Sequence, residues 1–474
     1  MAAHEAPREP MSVIDAAWLR MDRPDNLMMI CGMMMFEQRL DLRALRGVIG
    51  SRMLCFHRFL QRVAGPAEAP YWEADPQFDL DWHVRRVALP SGQGALEELA
   101  GDLASTALDP HKPMWQFHLA EGAHASALFL RIHHCYGDGF ALLHVVDAIT
   151  DLDPAHPRAP CPDVTPAPPA RGAWERIFGG VTETAGDALR AALDAAGAGA
   201  ALVAAPRQAL ALAARAADLV EQAGVIAAMT PDSATSLKGE LGVMKRVAWA
   251  EPLELDAVKA VARVLCCSVN DLLVACIAGA VRSWMQERGE PVEGVELRAL
   301  VPVNLRPPGP VTELGNHFGM VFLSLPVGIG DPLQRVAEVR RRMAALKNSQ
   351  QPLVALGILA GMGVAPEFIK ERVLEALAAN ASMIVTNVRG AQQPRYLAGR
   401  RIACQMFWVP QSGGIGLGVS ILSYAGQVSF GVIADAHRVP EPGALPPRYA
   451  AEFEALQLHA LMLPWPEIDQ DQKP

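Results

Sequence analysis

The chain has 474 residues, 51% hydrophobic and 20% charged, which suits a globular protein of two or three domains and excludes a disordered or fibrous one. A formal net charge of -9 excludes a nucleic-acid binder, because neutralising phosphates takes clustered lysine and arginine. Eight cysteines with no regular Cys-x-x-Cys spacing read as reduced thiols of a cytoplasmic protein, neither a disulfide framework nor a metal site.

The opening "MAAHEAPREP" lacks an apolar run, so no secretory signal is expected. Nor does any window reach the roughly 20 uninterrupted apolar residues of a spanning helix. Further along, "SALFLRIHH" predicts a strand. Its period-two alternation puts Leu128, Leu130, Ile132 and His134 on one face and Phe129, Arg131 and His133 on the other. "FALLHVVDAI" then predicts a helix with Asp138 at its N-cap and Gly139 permitting close backbone approach.

Seven prolines in "DLDPAHPRAPCPDVTPAPPA" mark a linker, followed by Ala-rich helices to about residue 230. There Leu212, Ala216, Leu219 and Ala223 form a stripe at helical spacing, a core face or, with Trp174 and Phe178, a surface resting on lipid. A strand and a helix in "MKRVAWAEPLELDAVKAVARVL" open the next unit, and alternating strand-like and helical runs fill the rest. "SVND" reads as a capping box, Ser268 at the N-cap and Asp271 at N3. In "QPLVALGILAGMGVAPEF", Gly357, Gly361 and Gly363 among apolar residues leave room for an acyl tunnel or for tight helix packing.

His134, Asp138 and Gly139 together present one imidazole at the end of a strand beside a rigid turn. Taken singly, such an Asp is usually a cap and such a His a satisfied core residue. Because His133 and His134 face apart they cannot share an ion, and no metal site is expected. An imidazole of ordinary pKa can take a proton from a hydroxyl during acyl transfer, and with no Gly-x-Ser-x-Gly elbow, direct attack fits better than an acyl-enzyme.

"HHCYGDG", His133 to Gly139, matches the H-H-x-x-x-D-G signature of the CoA-dependent acyltransferase superfamily. Several stretches in the expected order narrow the resemblance to the wax ester synthase/diacylglycerol acyltransferase family: "PMSVIDAAWLRMDRPDN", "KPMWQFHL", "SVNDLLVACIAGAV", "VPVNLR", "LGNHFGMVFLSLP", "MIVTNVRGA", "YLAGRRI" and "YAGQVSFGVIAD". "KPMW" departs from the family's Pro-Leu-Trp element by Met114.

The resemblance implies an α/β fold of two chloramphenicol-acetyltransferase-like domains, each a mixed sheet flanked by helices. Residues 1–150 would form the first, 151–235 the Pro-rich and helical linker, and 236–474 the second. It implies His134 as general base, His133 shaping the site, Asp138 holding the loop and Gly139 leaving room. Asn270 is then a candidate site contact, while Asp271 caps and Pro113, Trp115, Asn316, His317 and Gly319 pack.

The activity implied is transfer of a long-chain acyl group from acyl-CoA, a co-substrate and not a bound cofactor, to a long-chain alcohol or diacylglycerol. The enzyme would be cytoplasmic and peripheral to membrane or lipid inclusions, with its state as monomer or homodimer left open. Two other readings stand beside it. One is a related acyltransferase or condensation enzyme acting on a secondary metabolite; the other is a non-enzymatic protein of the lipid-droplet surface.

Overall fold

The run before the paired histidines is a strand, Ser126–His133, with all eight residues buried. Both faces are covered: Leu128, Leu130 and Ile132 enter one core with Trp18 and Trp115, while Ala127 and Phe129 enter another with Met33 and Trp408. The computed structural model describes residues 8–160 (except 68, 90, 91, 93, 123 and 124), 229–306, 314–347, 351–364, 375, 379–411 and 413–463. Most of the Pro-rich and Ala-rich segment, 161–228, lies outside the described residues, as do its stripe and Trp174 and Phe178.

The motif strand belongs to a six-stranded sheet ordered Tyr396–Leu397, Arg400–Trp408, Met29–Phe36, Ser126–His133, Trp115–Glu121 and Val84–Val87. Every pair is antiparallel except the last, which is parallel. Here the structure differs from a clean division at residue 150 and about 235. Arg400–Trp408, expected in the second unit, hydrogen-bonds to Met29–Phe36 in the first. Alternation cannot reveal this, because it fixes which faces a strand buries and not which sheet receives it.

The second sheet is ordered Phe318–Leu325, Leu297–Asn304, Met383–Arg389, Leu417–Tyr424, Gln427–Asp435 and Lys245–Trp249, with Leu253–Glu254 also on Gln427–Asp435. Met383–Arg389 pairs in parallel with both neighbours, so this sheet too is mixed. Leu255–Val264, Val269–Glu287 and Leu445–Met462 bury their apolar stripes on it. The capping box is present: Ser268 Oγ accepts from Asp271 N at 3.1 Å, and Asp271 Oδ2 accepts from Ser268 N at 3.0 Å.

Two further elements close over the motif. Helix Val13–Met21, capped by Ser12, packs on the turn after His133 and on helix Gln351–Val364. Helix Gly139–Ile149 follows the turn and carries an apolar face of Leu142, Val145 and Ile149.

Candidate active site

The strand ends at His133, and His134 opens a single turn of 3₁₀ helix, His134–Tyr136. His133 Nδ1 accepts from Cys135 N at 3.2 Å, which places its proton on Nε2, 3.6 Å from Asp22 Oδ1. The His134 ring stacks on Trp18 with centroids 4.0 Å apart and lies 5.6 Å from the Phe318 ring. The two rings thus have different partners, Cys135 N and Asp22 for His133 and Trp18 and Phe318 for His134.

Asn316 decides the state of His134. Its Nδ2 donates to Asp15 Oδ1 and to the His134 carbonyl, both at 2.8 Å, so both amide protons are used. Only Oδ1 remains to face His134 Nδ1 at 2.9 Å, and it can only accept. His134 therefore carries its proton on Nδ1 and its lone pair on Nε2. Burial pushes the ring pKa down to about 4, so at neutral pH the ring is an uncharged base. Burial acts oppositely on Asp15, raising its pKa, because the form it disfavours there is the anion.

Asp138 does more than cap. Its Oδ1 accepts from Phe140 N and Ala141 N at 3.0 Å, its Oδ2 from His317 N at 2.8 Å, and Arg306 reaches the same carboxylate at 2.6 Å. Arg306 also donates to Gly315 O at 2.8 Å. Gly315 has φ +123°, a conformation that favours glycine, and it directs Asn316 toward His134 while its own backbone pairs with Gly137. One carboxylate thus ties the motif turn to the loop that supplies Asn316.

Beside the turn lies a narrow apolar cleft of about 90 Å³. It runs between the sheet and helix Gly139–Ile149, lined by Ile132 and Gly139 near the motif and by Leu142, Val146, Met34 and Gln405 further in. Among the described residues, a Cβ on Gly139 would meet nothing within 4 Å.

The other expected residues fall elsewhere. Trp115 is fully buried, donating through Nε1 to Phe59 O at 2.9 Å, and Pro113 beside it is also buried. The segment nonetheless supports the motif, since Met114 O accepts from His133 N at 2.9 Å. Asn270 accepts from Asn387 Nδ2 at 2.8 Å, on the second sheet, and Asp271 caps its helix. Gly361 falls in helix Gln351–Val364; its surroundings lie outside the described residues.

Asn316 is a correction: expected to pack, it bonds the ring of His134 directly. Asp15, Trp18 and Arg306 were missed as functional residues. Asp15 and Trp18 stand three apart on one helix, so they share a face, but nothing in that spacing says what they meet.

The chain matches the model of the wax ester synthase/diacylglycerol acyltransferase catalytic domain over residues 11–273 and that of the WS/DGAT C-terminal domain over residues 314–457. It is 29% identical over 420 residues to the Mycobacterium tuberculosis protein tgs1, described as a probable diacylglycerol O-acyltransferase, covering 85% of this chain and 86% of that one. The fold is similar to that of the wax ester synthase/diacylglycerol acyltransferase from Marinobacter aquaeolei VT8, with TM-score 0.68 and 20% identity over 95% of this chain and 99% of that one. The first condensation domain of the CDA synthetase is also similar, with TM-score 0.57 and 15% identity over 96% and 97%.

Proposed function

The chain belongs to the wax ester synthase/diacylglycerol acyltransferase family, and from that premise we propose that it joins a long-chain acyl group from acyl-CoA to the hydroxyl of a fatty alcohol or a diacylglycerol. In the step proposed, His134 Nε2 takes the hydroxyl proton as the oxygen attacks the thioester carbonyl. The tetrahedral intermediate then collapses, the C–S bond breaks, and the departing CoA sulfur recovers the proton from Nε2–H. No acyl-enzyme forms, and the histidine ends as it began.

The observation that carries this reading is the pairing of His134 Nδ1 with Asn316 Oδ1, which leaves Nε2 as the basic nitrogen. Burial supports it, since the neutral ring is ready to accept at physiological pH. His133, with Nδ1 engaged by Cys135 N, has no such lone pair to offer and shapes the turn. The cleft that begins at Gly139 suits the acyl chain, its hydrocarbon lining replacing water along the methylenes.

Asp138 and Arg306 hold the loops, Trp18 fixes the ring plane, and Asn270 and Gly361 remain candidates for contact with the acceptor or the chain. The test is CoA release from palmitoyl-CoA against hexadecanol, shorter alcohols and dioleoylglycerol. Turnover with these acceptors supports the reading, and its absence with all of them rejects it.

Location follows from the substrates, which live in lipid. No single described helix is long and apolar enough to cross a membrane. Leu458, Leu461 and Met462 are exposed at the end of helix Leu445–Met462 and would rest on a lipid surface as a peripheral contact. Flotation with phosphatidylcholine vesicles that is weakened by Leu461→Glu with Met462→Glu supports this; unchanged flotation rejects it.

A further inference from the structure

Gln405 lies on strand Arg400–Trp408, paired with Met34. Its neighbours Cys404 and Met406 enter the core that holds Phe129 and Trp408, so alternation turns Gln405 to the opposite side, where it lines the cleft. Every other described residue lining that cleft is apolar or glycine. Gln405 is only 6% exposed, and its amide Nε2 is buried without a hydrogen-bond partner among the described residues. A buried amide N–H left unpaired beside hydrocarbon is unfavourable until something supplies the missing bond.

We propose that the cleft is a subsite for an oxygenated aliphatic chain, whose in-chain hydroxyl accepts from Gln405 Nε2 and donates to Gln405 Oε1. A hydroxyl both donates and accepts, so it satisfies the amide in either orientation. The inference rests on the assignment of the cleft to the acyl chain made above.

Register sets the position of that hydroxyl. Gln405 pairs with Met34 and Met34 with Leu128, while Ile132, the lining residue two positions before His134, stands four residues further along the strand of Leu128. The separation is about 13 Å along the strand and, over two strand spacings, about 9.6 Å across it, or about 16 Å in all, the reach of roughly thirteen carbons of an extended chain. A hydroxyl about twelve to thirteen carbons from the reacting carbonyl therefore meets the amide. A plain chain of the same length leaves it unpaired, and a site built to bond a hydroxyl discriminates against the analogue that lacks one.

The experiment compares kcat/KM for 12-hydroxystearoyl-CoA and stearoyl-CoA with hexadecanol as acceptor. The full-length enzyme should prefer the hydroxylated donor by about tenfold, and Gln405→Met should invert that preference. The ratio is taken within each protein, so a loss of folded enzyme does not move it. Equal rates in the unaltered enzyme both here and in the acceptor comparison that follows, or a preference that survives Gln405→Met, overturn the proposal. A second arm pairs stearoyl-CoA with 1,12-octadecanediol or 1-octadecanol. A Gln405-dependent preference seen only there supports the subsite but assigns the cleft to the acceptor chain. If stearoyl-CoA releases no CoA with any acceptor, the reading of the function fails as well; turnover without preference removes the subsite alone.

Discussion

Asn316 presents its carboxamide oxygen to His134 Nδ1 at 2.9 Å while its nitrogen is held by Asp15 and by the His134 carbonyl. The ring is thereby held in one tautomer by a residue 182 positions away in the chain. Asn316→Ala should release the ring and lower kcat by about 10- to 100-fold, part of the roughly 10²- to 10⁴-fold due to a positioned base. KM for acyl-CoA should move little, because Asn316 touches the base and not the cleft. Steady-state kinetics on the folded variant check this, and a change confined to KM would contradict it.

Asp138→Ala should cost more than a lost helix cap. The cap alone is worth about 0.5 to 2 kcal/mol, but here the substitution also strands the Arg306 guanidinium, whose side chain is 9% exposed. Removing one partner of a buried pair costs about 3 to 5 kcal/mol. Combining Asp138→Ala with Arg306→Met should recover part of the loss, since no uncompensated charge remains. Denaturant unfolding of the single and double variants measures it.

Acid should affect stability in a defined direction. Burial holds His83, His118, His134 and His317 each at about 4, below the ordinary histidine value. Between pH 6.5 and 4 the unfolded chain binds protons at these rings that the folded one does not, so stability falls as pH falls through that window. Above pH 6.5 these rings make stability independent of pH. Asp15, whose pKa is raised, works the other way, gaining stability as pH falls. Four lowered histidines outweigh it, so the melting temperature should drop from pH 7 to pH 5.

The motif, its strand and helix and the capping box were legible because each depends on short-range periodicity or on neighbouring side chains. The contacts around His134 were not. Asn316 stands in "LGNHFG" and Arg306 in "VPVNLR", stretches visible as family blocks, yet their roles arise only where two distant loops meet at Gly137 and Gly315. The destination of Arg400–Trp408 was hidden for a similar reason, since a strand buried on both faces fits either sheet. Gln405 looked like one polar residue in an apolar strand until its place in the cleft was known.

The most direct test of the central claim is single-turnover ester formation by His134→Ala and His133→Ala, each with its melting temperature. His134 offers Nε2 as the base, so His134→Ala should lose about 10²- to 10⁴-fold in rate. His133 only steadies the turn through Cys135 N, so its variant should lose much less. Equal losses in two stably folded proteins would contradict the assignment and require the imidazoles to share the proton.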